Sequence, residues 1–211
     1  TYERFMMLTR KKPNLLIKSL FTCTLAFSSF SNATIVEFAT SQGNITVNLF
    51  DQTTPKTVEN FLDYVNDNHY TNSIFHRVSP DFIVQGGGFE FTGELPLTPL
   101  VANASVVNEP VYSNVKGTIA MAKRSNDVNS ATNQWFFNLD DNSANLDLQN
   151  GGFTVFGQVI EGMDIVEKIG ALPLCFTGAD GSGVPVIIDA SQTCDNITSP
   201  GLENFILLEQ I

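Results

Sequence analysis

Alternation of apolar and polar positions governs most of this chain. In TIVEFATSQGNITVNLF (34–50), Ile45, Val47 and Leu49 alternate with Asn44, Thr46 and Asn48. That period of two predicts strands with one wet face. The Ser41-Gln42-Gly43-Asn44 break predicts a hairpin turn between them. The period then changes. In TTPKTVENFLDYVNDNHY (53–70), Val58, Phe61, Leu62 and Val65 fall on one helical face. Thr54 is placed as N-cap, Pro55 at the first helical position and Glu59 near the first turn. This helix is expected to end near residues 66–68.

Short strands resume after it. IFHRV (74–78), DFIVQG (81–86), GTIAMAK (117–123), QWFFNL (134–139) and TVFGQVI (154–160) are rich in β-branched and aromatic residues. Pro80 marks a turn between the first two. EGMDIVEKIGAL (161–172) predicts a second helix that buries Ile165, Val166 and Ile169. VPVIID (184–189) and NFILLEQI (204–211) close the pattern as strands. Two stretches, 87–116 and 140–152, show little periodicity, and loops of that length tend to carry function. The sum is about eight strands and two helices with no linker or repeat. It predicts one all-β-dominated domain over 34–211, a closed eight-stranded antiparallel β-barrel capped by two α-helices.

The N-terminal stretch changes the picture. Arg10, Lys11 and Lys12 precede an apolar run from about Leu15 to Phe30, then Ser31-Asn32-Ala33. A basic start, an apolar middle and a small residue before a cut predict a secretory signal peptide over residues 1–33. Residues 1–6 read as an upstream extension, with Met7 as the start. Lys18 interrupts the run, which argues against a spanning helix, so no stable membrane association is expected after cleavage. The expected location is periplasmic or secreted.

The chain carries 22 acidic and 11 basic residues, a formal charge of −11. Removing residues 1–33 takes away one acidic and five basic residues, which leaves 21 against 6 and a charge of −15. Such a surface repels phosphate backbones and excludes nucleic acid as a partner. The mature segment keeps two cysteines, Cys175 and Cys194. In an oxidising compartment they form either a disulfide or two buried thiols; their shared Gly- and Ser-rich loop region favours the bridge.

Candidate chemistry is narrowed by exclusion. The only histidines are His69 and His76, and neither HExxH nor CxxC occurs, which argues against zinc. No GxSxG is present. The glycine run 86–88 lacks a Walker lysine and reads as a strand-terminating turn. What remains is an arginine among aromatic, apolar and amide side chains in FHRVSPDFIVQGG (75–87). Arg77 offers fixed, non-titrating donors, Gln85 offers both donor and acceptor, and apolar walls strengthen both. That inventory suits a groove that grips peptide, with no cofactor.

FHRVSPDFIVQGG resembles the signature strand pair of the cyclophilins, the peptidyl-prolyl cis-trans isomerases. PKTVENFLDYV (55–65), GTIAMAKRSNDVNSATNQWFFNL (117–139) and FTVFGQVIEGMDIVEKI (153–169) are similar to the family's first helix, second signature block and following strand and helix. The similarity runs in order through nearly all of 34–211 and looks most like the bacterial periplasmic branch. The resemblance implies an isomerase for X-Pro bonds that assists exported proteins and acts on proline-containing polypeptides; a monomer is the simplest expectation for its oligomeric state. It implies Arg77 as the catalytic residue. It implies a substrate groove of Phe82, Ile83, Gln85, Gln134, Phe136, Leu146 and Phe153, with Ala122 and Lys123 pairing to the substrate through backbone atoms. His76 is expected to be structural, because the reaction moves no proton.

Two positions depart from the eukaryotic pattern: Asn145 stands where many members carry tryptophan, and Phe153 where they carry histidine. Asn145 also motivates a second reading, a proline-peptide-binding or chaperone module with little isomerase activity. In the family that tryptophan is associated with cyclosporin binding. Weak inhibition by cyclosporin is therefore expected, and a sub-micromolar inhibition constant in an isomerase assay would count against it.

Overall fold

The computed structural model describes residues 33–189, 193–197 and 199–211. The signal-peptide reading of residues 1–33 therefore lies, but for Ala33, outside the described residues. In chain order the elements are β1 (Ile35–Thr40), β2 (Gly43–Leu49), α1 (Pro55–Asn66), β3 (Ser73–Ile74), β4 (Arg77–Ser79) and β5 (Ile83–Gly86). Then come β6 (Phe89–Glu90), β7 (Thr98–Pro99), β8 (Thr118–Met121), β9 (Trp135–Asn138), α2 (Ser143–Leu146) and β10 (Val155–Glu161). α3 (Met163–Gly170), β11 (Leu174–Cys175), β12 (Val184–Pro185) and β13 (Leu207–Gln210) complete the series. Eleven strands form one sheet in the order β4-β5-β9-β8-β10-β2-β1-β13-β3-β6-β7, and β11 and β12 form a separate hairpin. The pairings are antiparallel.

Strand alternation divides the apolar residues between two faces. Val78, Val84, Ile119, Met121, Trp135, Phe137 and Phe156 point into the main core with Phe38, Val47 and Leu49. Their sequence neighbours Ile83, Ala120, Phe136 and Val155 form a second apolar cluster with Leu146. The main core is aromatic at its centre. Trp135 meets Phe38, Phe75 and Phe137 edge-on, with ring centroids 5.1–5.7 Å apart. Edge-to-face contacts of this kind add to simple area burial.

The helix α1 buries Thr57, Val58, Phe61 and Tyr64, while Leu62 and Val65 are partly covered. Thr54 sits at its N-cap position but makes no side-chain cap. Glu109 does that work from the long loop. Its carboxylate accepts from Lys56 N (3.4 Å), Thr57 N (2.9 Å) and Thr57 Oγ1 (2.8 Å). A carboxylate there satisfies orphan N–H groups and complements the helix dipole.

The expected strand 74–78 is split. Ser73 and Ile74 pair with β13, whereas Arg77–Ser79 pairs with β5. The break falls at Phe75 and His76, whose N–H groups donate to Ile206 O and Gln85 O. The expected strand 184–189 is shorter than its sequence suggests. Val184 and Pro185 pair with β11, and only a single bridge joins Val186 to Phe205. Pro185 has no N–H to donate and suits an edge. The 140–152 stretch holds the short helix α2, which the sequence pattern did not reveal.

The β11–β12 hairpin covers an exposed edge. Val78 N donates to Gly183 O (2.7 Å), and Gly183 N donates back to Val78 O (2.9 Å). An uncovered edge strand would be open to stray pairing. Cys175 in β11 is joined to Cys194, with Cα atoms 5.3 Å apart.

Candidate active site

The site is a row of side chains across the outer face of the sheet. The registers Arg77↔Gln85, Gln85↔Phe136, Phe136↔Ala120 and Ala120↔Val155 run through β4, β5, β9, β8 and β10. These residues are up to 78 positions apart in sequence, yet the ladder sets them side by side. Each is the neighbour of a core residue, so burial of the core face fixes which residues point outward.

The polar end of the row is a hydrogen-bonded chain. Gln134 Oε1 accepts from Gln85 Nε2 (2.8 Å), and Gln85 Oε1 accepts from Arg77 Nη1 (3.3 Å). Arg77 Nε donates to Ser182 Oγ (3.2 Å), and Nη2 donates to Asp180 Oδ2 (3.1 Å). Gln85 thus spends its amide on Gln134 and its carbonyl on the guanidinium. Arg77 is a charge placed beside apolar residues, and these partners offset that cost. Its side chain is 33% exposed.

The apolar end is built from β5, β9 and α2. Ile83, Phe136 and Leu146 are buried, and Phe82, Ala122 and Phe153 pack against them. Phe153 meets Phe136 edge-on at 5.9 Å. Phe153 N donates to Leu146 O, which ties the approach to β10 to helix α2. Asn145 is exposed on α2, whereas Leu146 beside it is buried. The apolar wall is therefore closed by Leu146 and does not rest on Asn145.

Ala122 and Lys123 follow directly on β8, at the edge of the row. Ala122 N–H is already given to Gln134 O (2.9 Å). Any pairing of Ala122 with a peptide must use its carbonyl. The Lys123 ammonium turns to the neighbouring loop, donating to Asn150 O (2.9 Å) and Gly152 O (2.6 Å) and lying 4.9 Å from the centre of the Phe153 ring. Burial lowers its pKa, with the Asp127 charge opposing that effect.

Glycine at 87 has a local reason. Gly87 adopts φ +77°, and a Cβ there would lie 2.6 Å from Asn133 O and 2.7 Å from Trp135 Nε1. The strand end can lie against the indole only without a side chain.

Two participants were missed by sequence reasoning: Asp180 and Ser182. Asp180 Oδ1 accepts from Ser182 N (3.1 Å) and Ser182 Oγ (2.7 Å). Those bonds and Arg77 hold the Asp180 carboxyl down at about 2. The signal available was the Asp-Gly-Ser turn in GADGSG, but nothing in one sequence says that this turn reaches β4.

His76 packs edge-on against Phe89 at 4.8 Å. Burial lowers its pKa from 6.5 to about 4, and a Gln134 hydrogen bond opposes this only in part. It is therefore neutral at pH 7, as suits a structural residue. The group would bind a proton near 6.5 in the unfolded chain but only near 4 in the folded one. Between those values the unfolded chain holds more protons, so stability falls as pH falls, by on the order of 3 kcal/mol in full.

Among the described residues no group of His, Cys, Asp and Glu is arranged to hold a metal ion. Residues 35–188 match the family model described as cyclophilin type peptidyl-prolyl cis-trans isomerase/CLD. A peptidyl-prolyl cis-trans isomerase of Acinetobacter baylyi is 43% identical over 143 residues, covering 66% of this chain and 73% of the relative. The peptidyl-prolyl cis-trans isomerase A of Dickeya dadantii is 43% identical over 159 residues, covering 72% and 79%. Among solved structures, a cyclophilin type isomerase of Cryptosporidium parvum, crystallised in the presence of the dipeptide Ala-Pro, superposes with a TM-score of 0.60 at 21% identity. That match covers 84% of this chain and 96% of the other.

The His76 shift yields an acid-stability test. Urea unfolding at pH 7 and pH 4.5 should show a larger loss for the wild type than for His76→Gln. Parallel losses would remove His76 as the cause.

Proposed function

Because this chain belongs to the cyclophilin type peptidyl-prolyl cis-trans isomerase family, we propose that it accelerates X-Pro rotation at the outer-face row through Arg77. The observation that carries this reading is the Gln134–Gln85–Arg77 chain, which sets a guanidinium beside the apolar cluster of Phe82, Ile83, Phe136, Leu146 and Phe153.

The chemistry asks for little. A peptide bond resists rotation by ~18–20 kcal/mol because its nitrogen lone pair is shared with the carbonyl. On twisting, the prolyl nitrogen regains that lone pair and can accept a hydrogen bond. A donor aimed there binds the twisted amide better than either planar form, and that difference is catalysis. No bond breaks, no proton moves and no cofactor is required. In this reading the apolar cluster holds the proline ring and excludes water, which strengthens the donor. Gln85 holds the guanidinium through its side-chain carbonyl.

The sheet, in this reading, closes as an eight-stranded barrel. Support comes from the segment 73–79, which pairs with β13 at its start and with β5 at its end. Counted as one strand, that segment links the two ends of the run from β5 to β13. α1 and α3 then cap the two ends.

The substrates in this reading are proline-containing segments of exported polypeptides, met as a monomer in the periplasm or outside the cell. The basic-then-apolar segment before Ala33 supports export, and so does the Cys175–Cys194 pair. N-terminal sequencing of the protein recovered from its host should find residue 34 first; a start within residues 1–30 would overturn the cleavage reading.

The catalytic assignment is tested with Arg77→Ala in a protease-coupled assay on a short X-Pro peptide. Loss of one positioned donor typically costs ~10²–10³-fold in rate, and a loss of that order is expected here. Wild-type rates would overturn the role of Arg77.

A further inference from the structure

The donor in this site is a long, flexible side chain, so something must fix its aim. Gln85 engages only Nη1. The other two engaged nitrogens are held from the β11–β12 hairpin, more than 100 residues away in sequence. We propose that Asp180 and Ser182 form a positioning clamp that sets the guanidinium of Arg77 for catalysis. The proposal rests on the catalytic role of Arg77.

The pattern of used and unused donors favours positioning over sequestration. A guanidinium has five N–H groups. Ser182, Gln85 and Asp180 take one each, from Nε, Nη1 and Nη2. One N–H remains on each terminal nitrogen with no partner among the described residues. The clamp therefore removes rotational freedom and still leaves donors for a substrate.

Asp180 is also poorly placed to be a recruiting charge. Its Oδ2 already accepts from Arg77, and its Oδ1 from Ser182 N and Oγ. Nor is the ion pair a credible source of stability, because Asp180 is 57% exposed and exposed pairs contribute little. A geometric role is what remains.

The hairpin is built to hold that geometry. Gly178 N donates to Ser182 O (2.7 Å) across its tip. Gly183 exchanges two hydrogen bonds with Val78, the residue next to Arg77. At its root Cys175 pairs with Val184 and is bonded to Cys194. The carboxylate is thus referenced to β4 itself, one residue from the side chain it holds.

The test compares Asp180→Ala, Asp180→Asn and Ser182→Ala, each in the wild-type and Arg77→Ala backgrounds. Steady-state isomerisation of an X-Pro peptide and melting temperature are read in both backgrounds, and the Arg77 side-chain Nε–H resonance where Arg77 is present. Asp180→Ala should lower kcat/KM by roughly five- to twenty-fold, since small misplacements of a catalytic group are costly. The loss should appear in kcat rather than KM, as for an interaction used in the transition state. The Nε–H proton should exchange faster with water, and the melting temperature should hold. In the Arg77→Ala background the same substitution should change nothing further, as expected of a coupled pair. If Asp180→Ala lowers the melting temperature, Asp180→Asn and Ser182→Ala carry the comparison, with smaller losses of the same kind. Unchanged or raised kcat in folded variants would overturn the clamp, and so would an equal loss in both backgrounds. If Arg77→Ala itself keeps wild-type rates, the functional reading falls; if it is impaired and the Asp180 variants are not, only the clamp falls.

Discussion

The constraint on which this structure depends is the two-residue period of its strands, locked by burial of one face. Trp135 and Phe137 must enter the core, so Phe136 must face outward. Val84 must enter, so Ile83 and Gln85 must face outward as well. A slip of one residue in β5 would place Gln85 in the apolar interior and Val84 at the surface. The hydrophobic core thus decides the register, and the register decides which donor stands beside which apolar wall.

Polar order then spreads along the row. Gln134, Gln85, Arg77, Ser182 and Asp180 form one connected set of hydrogen bonds. A connected set polarises its members and narrows their geometry more than isolated pairs do. Its two ends are anchored differently. Gln134 abuts the core strand that carries Trp135, and Asp180 sits at the tip of a hairpin that pairs with β4. Rigid backbone at both ends turns flexible side chains into a defined surface. The same economy appears at α1, where Glu109 from a distant loop supplies the cap that Thr54 does not.

Much of this was legible in the sequence because it is periodic. The alternation in 44–49 and the helical spacing of Val58 and Phe61 named their elements and their buried faces. The candidate residues Arg77, Gln85, Phe136 and Gln134 were legible through linked motifs, and the ladder brings them together. What was not legible depends on distant pieces of chain meeting. The break at Phe75–His76 arises because one short segment serves two pairing partners. The Asp180 contact arises because a Gly-rich turn, featureless on its own, happens to be the tip of an edge-covering hairpin. The bond from Ala122 N–H to Gln134 O is likewise absent from the local pattern.

The placement of β13 has a consequence for timing. It lies between β1 and β3, pairing Leu208 with Thr40 on one side and with Ser73 on the other. Strands near the start of the described chain therefore lack a neighbour until residues 207–210 arrive. A chain made in order cannot finish this sheet piecemeal. Its most non-local pairings come last, the kind that fold slowly and leave edges open meanwhile. β13 is thus the seam of the sheet, and β1 and β3 each keep an open edge until it docks between them.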